Sequence, residues 1–311
     1  VGEPDLERVR HALLHLAGSL VGEGDRKDMM GGNTHAVDEV RYPGGEHSGL
    51  ARARAREHHE RPAVVEHGLA LWIVWGRWGT LVRSLMHPLR VVSVQPEANG
   101  VVSLTLTGSN LRGHRAASGQ FYYLRDLSPG RWWRNNPFSL SSEPTTAGLR
   151  FTIKDRGDSS RAFTRIKPGA RVAIEGPYGV CTPDLVGNDK VLLVAGGVGI
   201  GPIVSFLEQL RPSSEPVVLY RAHSQAEVAH AEELDKLVAE RGGRLHVLVG
   251  ARHTLKVADP FAADVLLKAI PDLASRVVVV AGPESMIKAV QHGARDAGVP
   301  TERIHAERAW W

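Results

Sequence analysis

Apolar positions in the middle of the chain recur in short runs that are typical of strands. Five runs are rich in β-branched or aromatic residues and are bounded by Gly, Pro, Asn or Asp, a composition that favours strands separated by turns. They occupy residues 89–96, 101–108, 119–126, 149–155 and 170–177. Five or six strands within about 95 residues predict a small antiparallel β-barrel domain, which we place at residues 87–186.

The hydrophobic pattern changes again near Lys190. Four runs are almost continuously apolar, as strands buried on both faces of a parallel sheet require. They lie at residues 190–196, 216–222, 244–250 and 275–282. Helical patterns separate them at residues 203–210, 227–240 and 286–298. This alternation predicts a doubly wound α/β domain, residues 187–311. The predicted fold class is therefore an α+β barrel domain followed by an α/β domain.

Residues 1–67 have a different pattern. Apolar residues at three- and four-residue spacing between Leu6 and Leu20 predict a short amphipathic helix, but glycines and charges dominate the sequence that follows. Such a segment cannot offset its ordering entropy by burial, so we predict a largely irregular or loosely helical region. His11 and His15 would suit two metal ligands on one helix face. No Cys or carboxylate framework accompanies them, so we predict solvated histidines and no bound metal.

A connecting segment, residues 68–86, contains an apolar, Trp-rich run at residues 69–78. The run is too short to cross about 30 Å of hydrocarbon. Two interpretations remain open. In the first, residues 69–80 associate with a membrane surface and place their Trp side chains among the headgroups. In the second, the run forms a helix that packs on the following domain.

Charge and cysteine content narrow the function classes. The chain has 38 Lys and Arg against 34 Asp and Glu, and so small an excess predicts no nucleic-acid partner. The single cysteine, Cys181, excludes a disulfide scaffold or a Cys-ligated iron–sulfur centre within this sequence, and we interpret it as a small apolar residue. The first residues lack a signal-peptide pattern. We therefore expect a cytoplasmic protein, at the cytoplasmic membrane face if residues 69–80 bind there.

The strongest local motif lies where the first parallel strand ends. A buried run leads into Gly196-Gly197-Val198-Gly199-Ile200-Gly201-Pro202 and then into helical sequence. Glycines let the backbone approach a pyrophosphate, and a helix N-terminus offers its N–H groups to it. The motif predicts a nucleotide-binding turn with Gly197, Gly199 and Pro202 as its key positions.

The proline that ends this motif departs from the ordinary dinucleotide fingerprint, and the motif resembles the nucleotide turn of the ferredoxin–NADP reductase superfamily. Asn136-Pro137-Phe138-Ser139 resembles the flavin-binding motif of that superfamily, in which an Arg or His, an aromatic residue and a Ser or Thr bind the flavin. The resemblance implies that Phe138 lies against the isoalloxazine and that Ser139 forms a hydrogen bond near its N5.

Two further segments carry the same resemblance in the same order. Residues 154–160 are similar to the family's Gly-x-x-Ser pyrophosphate turn, and the contacts implied there belong to Lys154, Gly157, Ser159 and Ser160. Ala281-Gly282-Pro283 is similar to the Cys-Gly-Pro motif beside the nicotinamide, with Ala in place of the usual Cys, and implies cofactor contacts from Gly282 and Pro283. Residues 303–308 match the closing strand. The resemblance covers about residues 85–311 and is closest to the ferric-reductase-like and NADPH-oxidase-like branch.

Two other positions depart from the family pattern. Asn136 stands where Arg or His is usual, and Arg134 would supply the cationic contact instead. Ala309 stands where an aromatic residue usually covers the flavin, a position that Trp310 or Trp311 would take over.

The resemblance implies an FAD-dependent NAD(P)H oxidoreductase that passes electrons to a haem, a ferric chelate or a protein acceptor, with Ser139 and Glu307 in catalytic positions. Two alternatives remain open. One is a non-catalytic module that keeps the fold and binds a partner or one nucleotide. The other is the soluble reductase component of an oxygenase.

The coenzyme preference depends on charges near the second and third parallel strands, where a 2′-phosphate needs Arg. Arg221 follows the second of these strands, with Ser224 close by, and Arg252 follows the third. No acidic residue stands at the tip of the second strand, so NADPH is expected and NADH remains possible. The alternative is that both Arg side chains are solvated loop residues.

Overall fold

The structure is a computed structural model that describes residues 82, 84–109, 111, 115–250 and 259–308. All of these residues belong to one compact unit, Arg77–Trp311. The predictions for residues 1–67 and 68–81, for Arg252 and for Trp310 fall outside the described residues. No helix within the described ranges is long and apolar enough to cross a membrane.

The first domain is a six-stranded antiparallel sheet that closes into a barrel. Its strands are β1 (Leu89–Ala98), β2 (Val101–Thr107), β3 (Phe121–Asp126), β4 (Asn136–Ser139), β5 (Leu149–Lys154) and β6 (Arg171–Tyr178), and a short helix, α1 (Asp158–Thr164), follows β5. The spatial order is β4-β3-β6-β1-β2-β5. A bridge between Leu140 and Phe151 connects the chain just after β4 to β5 and so brings the two ends of the sheet together. The predicted antiparallel barrel is confirmed.

Alternate side chains at the start of β3 face the barrel core and the outer surface. Tyr122 and Leu124 are fully buried, and the Tyr122 ring meets Phe151 edge-on at 6.1 Å. Burial of a large apolar side chain stabilises a fold by about 1.5–3 kcal/mol. The alternate residues, Phe121 and Tyr123, lie on the opposite face and are only half-buried. Phe121 is therefore available to line a surface cleft.

Strand β4 is an element that the sequence pattern did not predict. Asn136-Pro137 reads as a turn, yet the segment pairs with β3, with Tyr122 opposite Phe138 and Leu124 opposite Asn136. β4 is the last strand in the sheet order, and an edge strand tolerates a proline because one side of its backbone needs no partner.

The second domain is a five-stranded parallel sheet with helices between its strands, as predicted. Its strands are β7 (Val191–Gly196), β8 (Val217–Ala222), β9 (Arg244–Val249), β10 (Val277–Gly282) and β11 (Ile304–Arg308). Its helices are α2 (Ile200–Gln209), α3 (Ala231–Ala239), α4 (Ala263–Ala269) and α5 (Glu284–Asp296). The order is β11-β10-β7-β8-β9, and every residue of β7 and β10 is buried.

The strand order creates a switch point between β7 and β10. The chain winds outward from β7 through β8 to β9 and then returns to the other side of β7 as β10. Helices that leave the two halves diverge at such a point, which opens a crevice at the carboxyl ends of the strands. The crevice therefore lies beside Gly196 and Gly282.

Helix α3 begins later than its pattern predicts. The apolar periodicity suggested a start at Glu227, but α3 starts at Ala231. His230 has a left-handed backbone with φ of 57°, which a right-handed helix cannot include. The preceding residues are held by the barrel instead, because the Asn99 N–H donates to the Ala226 carbonyl at 2.8 Å. Helix α4 was not predicted.

Candidate cofactor site

A cleft of about 340 Å³ lies where the barrel meets the switch point, and we call it the first cleft. Its barrel wall comes from β3, β4, β5 and α1, and its other wall from the turn after β7 and the ends of β10 and β11. Its lining includes Phe121, Asn136, Pro137, Phe138, Ser139, Thr152, Lys154, Arg156, Gly157, Ser159, Ser160, Gly199, Pro202, Gly282 and Glu307. The structure thus brings together residues that the sequence motifs singled out separately.

Strand β4 contributes all four of its residues to this wall. Asn136, Pro137, Phe138 and Ser139 all line the first cleft, and the pairing of Ser139 with Phe121 fixes their register. The Phe138 ring packs edge-on against Phe163 with 5.3 Å between centroids. Phe138 therefore presents a supported ring to the cleft. Its contact with a flavin stays a prediction, as does that of Ser139.

The turn before α1 is held by its own serine. The Ser160 hydroxyl accepts the Arg156 backbone N–H at 2.8 Å and lies 3.2 Å from the Gly157 carbonyl. Both hydrogen bonds are local, so Ser160 shapes the turn that faces the cleft. Ser159 lies beside it in the same wall.

One of the two cations that the motifs suggested lies outside the first cleft. Arg134 is exposed, and its guanidinium lies 4.7 Å from the Trp133 ring centroid; it does not line the cleft. Lys154 and Arg156 do line it. Phe121, Thr152, Arg156, Asp158 and Val198 line the first cleft without having been singled out as site residues from the motifs. Arg156 was detectable, because it directly precedes the Gly157 turn.

A second cleft of about 310 Å³ continues past the glycine turn. Its lining includes Lys154, Arg156, Gly196, Gly197, Arg221, His223, Glu227, Asp259, Phe261, Pro283 and Met286. Lys154 and Arg156 therefore belong to the walls of both clefts. Ser224, which the sequence placed with Arg221, does not line it.

Two glycines of the turn, Gly197 and Gly199, have different structural roles. A Cβ at Gly199 would lie 2.3 Å from the Ala281 carbonyl oxygen, so Gly199 allows the turn to pack against β10. Gly197 has a φ of +56°, and a Cβ there would meet nothing within 4 Å. The position that leaves space for a ligand is therefore Gly197, and the expected role of Gly199 changes to close packing.

Arg221 is anchored at the ends of β8 and β9. Its Nη1 donates to the Leu248 carbonyl at 3.0 Å, and further bonds reach the carbonyls of Ala222 and Gly250. These bonds fix the guanidinium in the wall of the second cleft. Contact with a 2′-phosphate stays a prediction.

Glu307 is the acidic group of the first cleft nearest the switch point. It pairs with Ala281 between β11 and β10. Burial raises the pKa of Glu307 to about 7, so this carboxyl is close to half-protonated at neutral pH. Cys181 is buried, and burial together with the charge of Glu307 raises the pKa of its thiol to about 12. An un-ionised thiol is a poor nucleophile, which agrees with an apolar role for Cys181.

The residues of the two clefts fit a flavin nucleotide and a nicotinamide nucleotide. The turn into α2 has open space at Gly197, and no side chain caps the N-terminus of α2, so its N–H groups can meet a phosphate. Lys154 and Arg156 supply positive charge between the clefts. Phe121 and Phe138 supply the apolar surface that a ring system needs.

Comparisons with known proteins agree with this fit. Residues 193–292 match the family model of the oxidoreductase NAD-binding domain. The chain is 30% identical over 232 residues to the ferredoxin reductase component of 3-ketosteroid-9-alpha-monooxygenase from Mycolicibacterium smegmatis, covering 70% of this chain and 64% of that protein. It is 31% identical over 144 residues to ferric/cupric reductase transmembrane component 2 of Saccharomyces cerevisiae, covering 43% of this chain and 20% of that protein. The chain thus spans less than two thirds of the length of these relatives.

A solved structure supports the same fold. The FAD/NAD-binding domain of nitric oxide dioxygenase from Vibrio cholerae superposes with a TM-score of 0.58 at 22% identity, covering 72% of this chain and 98% of that one. The barrel, the parallel sheet and the clefts between them define a two-domain module that binds FAD and NAD(P). The chain is thus similar in sequence and in fold to ferredoxin–NADP reductase-like modules of this kind.

Proposed function

We propose that this chain is an NAD(P)H-dependent flavin oxidoreductase module that passes electrons to a separate acceptor. The observation that carries the proposal is the meeting of the two clefts at the switch point, where Lys154 and Arg156 line both. Two nucleotides bound there would bring their ring systems together at the barrel–sheet boundary. When bound, FAD accepts a hydride from the nicotinamide and can release the electrons one at a time.

The protein's own contribution is positioning and charge. Phe138 and Phe121 hold the ring system at the barrel wall, Ser139 offers a hydroxyl beside it, and the turn at Gly197 admits the diphosphate. Glu307 carries a carboxyl that can hold or release a proton near neutral pH, because burial raises its pKa to about 7.

The acceptor that we propose is a haem, a ferric chelate or a protein. The names of the two curated relatives, a ferredoxin reductase component and a ferric/cupric reductase, support acceptors of this range. Because the sequence has one cysteine, no iron–sulfur cluster of Cys ligands mediates the transfer within it. We further propose that the reaction takes place on the cytoplasmic side. Association of residues 69–80 with a membrane stays a prediction.

The spectrum of the purified chain tests the proposal. We expect a yellow protein whose flavin absorbance bleaches on addition of NADPH under anaerobic conditions and returns with ferricyanide. A colourless protein that takes up no added FAD would support the non-catalytic module instead.

Glu307 gives the activity and the stability of the fold a pH dependence. The folded chain keeps a proton on Glu307 between about pH 4.5 and 7 that the unfolded chain has lost, so the contribution of this group to stability falls as the pH rises through that window. Above pH 7 the ionised carboxylate places a negative charge beside the cofactor. We expect the kcat for NADPH-dependent ferricyanide reduction to fall by about one decade per pH unit there.

The Glu307→Gln variant isolates this group, because glutamine has nearly the same shape and stays neutral. Its kcat should be lower but independent of pH above 7, and its Tm should lose the decline between pH 4.5 and 7. A parent pH profile that survives the substitution would show that another group titrates.

The coenzyme preference tests the two arginines. If Arg221 and Arg252 contact a 2′-phosphate, each charge-assisted bond contributes about 1.5–3 kcal/mol. The parent should then prefer NADPH to NADH in kcat/KM by about one to two decades for each effective contact, and the double substitution to Ala should weaken NADPH alone. Arg221→Lys is the control, since Lys keeps the charge while losing most of the carbonyl bonds. Equal use of both coenzymes by the parent would contradict the assignment.

A further inference from the structure

A buried histidine, His230, lies just outside the first cleft. It directly precedes α3, has a left-handed backbone and is 5% exposed. It lines neither cleft, but its ring connects the barrel to the parallel-sheet domain. The imidazole Nε2 lies 2.8 Å from the Thr152 Oγ1 on β5, within the protein interior. Thr152 is itself 5% exposed and forms part of the first cleft's wall.

The other nitrogen of the same ring faces carboxylates. His230 Nδ1 lies 2.9 Å from Glu233 Oε2 on α3 and 3.5 Å from Glu97 Oε2 on β1. Arg150 on β5 donates to the second oxygen of Glu233 at 2.7 Å and lies 3.8 Å from Glu208 on α2. A continuous polar chain therefore runs from a charged cluster, through the imidazole, to a hydroxyl in the cleft wall.

The carboxylates decide which imidazole nitrogen carries the proton. Burial would raise the pKa of Glu233, but hydrogen bonds from His230 and Arg150 outweigh it and lower the pKa to about 2. Glu233 is therefore ionised near neutral pH and can only accept hydrogen bonds. Nδ1 must carry the hydrogen of the neutral ring, which leaves Nε2 as an acceptor for the Thr152 O–H.

Protonation of the ring reverses the hydrogen bond to Thr152. An imidazolium donates from both nitrogens, so Nε2–H then donates to the Thr152 oxygen. The Thr152 hydroxyl hydrogen can no longer point at the ring and becomes available to the cleft. The charge state of a residue outside the cleft thus determines whether the wall offers a lone pair or a hydrogen.

The position of Thr152 indicates which part of a ligand would sense this change. A Cβ added at Gly201, in the first turn of α2, would lie 3.1 Å from the Thr152 Cβ. The Thr152 side chain therefore packs against the first turn of α2, the helix that follows the glycine turn to which the proposed function assigns a diphosphate. Phosphate oxygens accept hydrogen bonds and do not donate them, so they favour the state in which Thr152 donates.

We propose that His230 is a positioning residue that sets the hydrogen-bond polarity of Thr152, so that a dinucleotide diphosphate binds more tightly when His230 is protonated. The inference rests on the proposed function. The charged groups around the imidazole and its partners are Glu97, Glu208, Glu233 and Arg150. Histidine is the side chain whose charge ordinarily changes between about pH 5 and 8.

Binding of a non-reducing coenzyme analogue to the FAD-loaded chain tests the inference. Tetrahydro-NADH is the probe, because it transfers no hydride and lacks a 2′-phosphate that would itself titrate. Its Kd, followed through the flavin absorbance, should rise about threefold to tenfold between pH 6 and pH 8 in the parent. His230→Gln should flatten this dependence to within about twofold.

Two substitutions at Thr152 separate a polarity effect from simple packing. Thr152→Val keeps the shape and removes the hydroxyl, so it should bind with the weaker, alkaline-pH affinity of the parent at both pH values. Thr152→Ser keeps the hydroxyl and should retain the dependence. If Thr152→Val kept the full change of Kd with pH, the inference would be overturned.

Glu97→Gln gives an independent reading if the His230 variant does not fold. Removal of one facing carboxylate leaves the Nε2 contact intact but makes the imidazolium less favourable, so the transition in Kd should move to lower pH. An unmoved transition in Glu97→Gln, or an unchanged pH dependence in a folded His230→Gln, would contradict the inference. If the parent binds FAD and its flavin absorbance is bleached by NADPH, the proposed function stands whatever these variants show. If the parent takes up no FAD, both the proposed function and the inference about His230 are overturned.

Discussion

Gly197→Asp should raise the KM for NAD(P)H by about 100-fold while FAD stays bound. Gly197 has a φ of +56°, and a Cβ there meets no protein atom, so an added side chain would project toward the second cleft without a clash. Asp tolerates this backbone region better than most residues. Its carboxylate would stand where the turn admits a diphosphate, and an unfavourable like-charge contact costs several kcal/mol.

The matched control is Gly197→Asn, which has nearly the same size and backbone preference but no charge. We expect a much smaller rise in KM for Asn than for Asp in steady-state ferricyanide reduction. Gly199→Ala is a contrasting variant. Its Cβ would lie 2.3 Å from a β10 carbonyl, so it should lower the yield and the Tm of the folded protein rather than coenzyme binding alone. Equal KM values for the Gly197→Asp and Gly197→Asn variants would show that no diphosphate binds at this turn.

Phe138→Ala should release FAD. The ring lines the first cleft, and loss of an aromatic stacking surface costs about 1–3 kcal/mol, or about 5- to 150-fold in the Kd for FAD. Fluorescence titration of the apoprotein with FAD measures the change. The variant should also lose some thermal stability, because the same ring packs on Phe163.

Phe163→Leu separates the two effects, since Phe163 is buried behind Phe138 and does not line the cleft. This control should lower the Tm while changing the Kd for FAD by less than about threefold. If the two variants released FAD to the same extent, the effect would come from the packing of β4 and not from a contact with the flavin.

The sequence predicted those elements whose burial is continuous. Strands β7 and β10 are buried at every residue, so their apolar runs admit few other interpretations, and the glycine turn follows β7 directly. Strand β4 escaped prediction because its stability comes from pairing with β3, which the local sequence Asn136-Pro137 does not reveal. The late start of α3 escaped prediction for a related reason. The apolar periodicity begins before the helix does, because His230 has a left-handed backbone and the residues before it are bonded to the barrel.

The sequence motifs predicted individual site residues, but they did not fully predict which cationic side chains face the first cleft. Phe138, Ser139, Gly157 and Glu307 were each found by position and do meet in one cleft. Arg134 was assigned a cationic contact by its proximity along the chain, but its side chain lies over an exposed Trp instead. Which cations face a cleft depends on how a strand end and a turn are oriented in three dimensions, and short motifs do not encode that.

The shared wall of Lys154 and Arg156 has a thermodynamic consequence. Each of two bound dinucleotides carries a diphosphate, and both would draw on the same two cations, Lys154 and Arg156. Occupancy of one cleft must then reduce the electrostatic attraction that remains for the other. Because such coupling is reciprocal, each nucleotide would lower the affinity of the chain for the other. Under the proposed function, the coenzyme that exchanges would therefore bind more weakly to the FAD-loaded chain than to the chain without FAD.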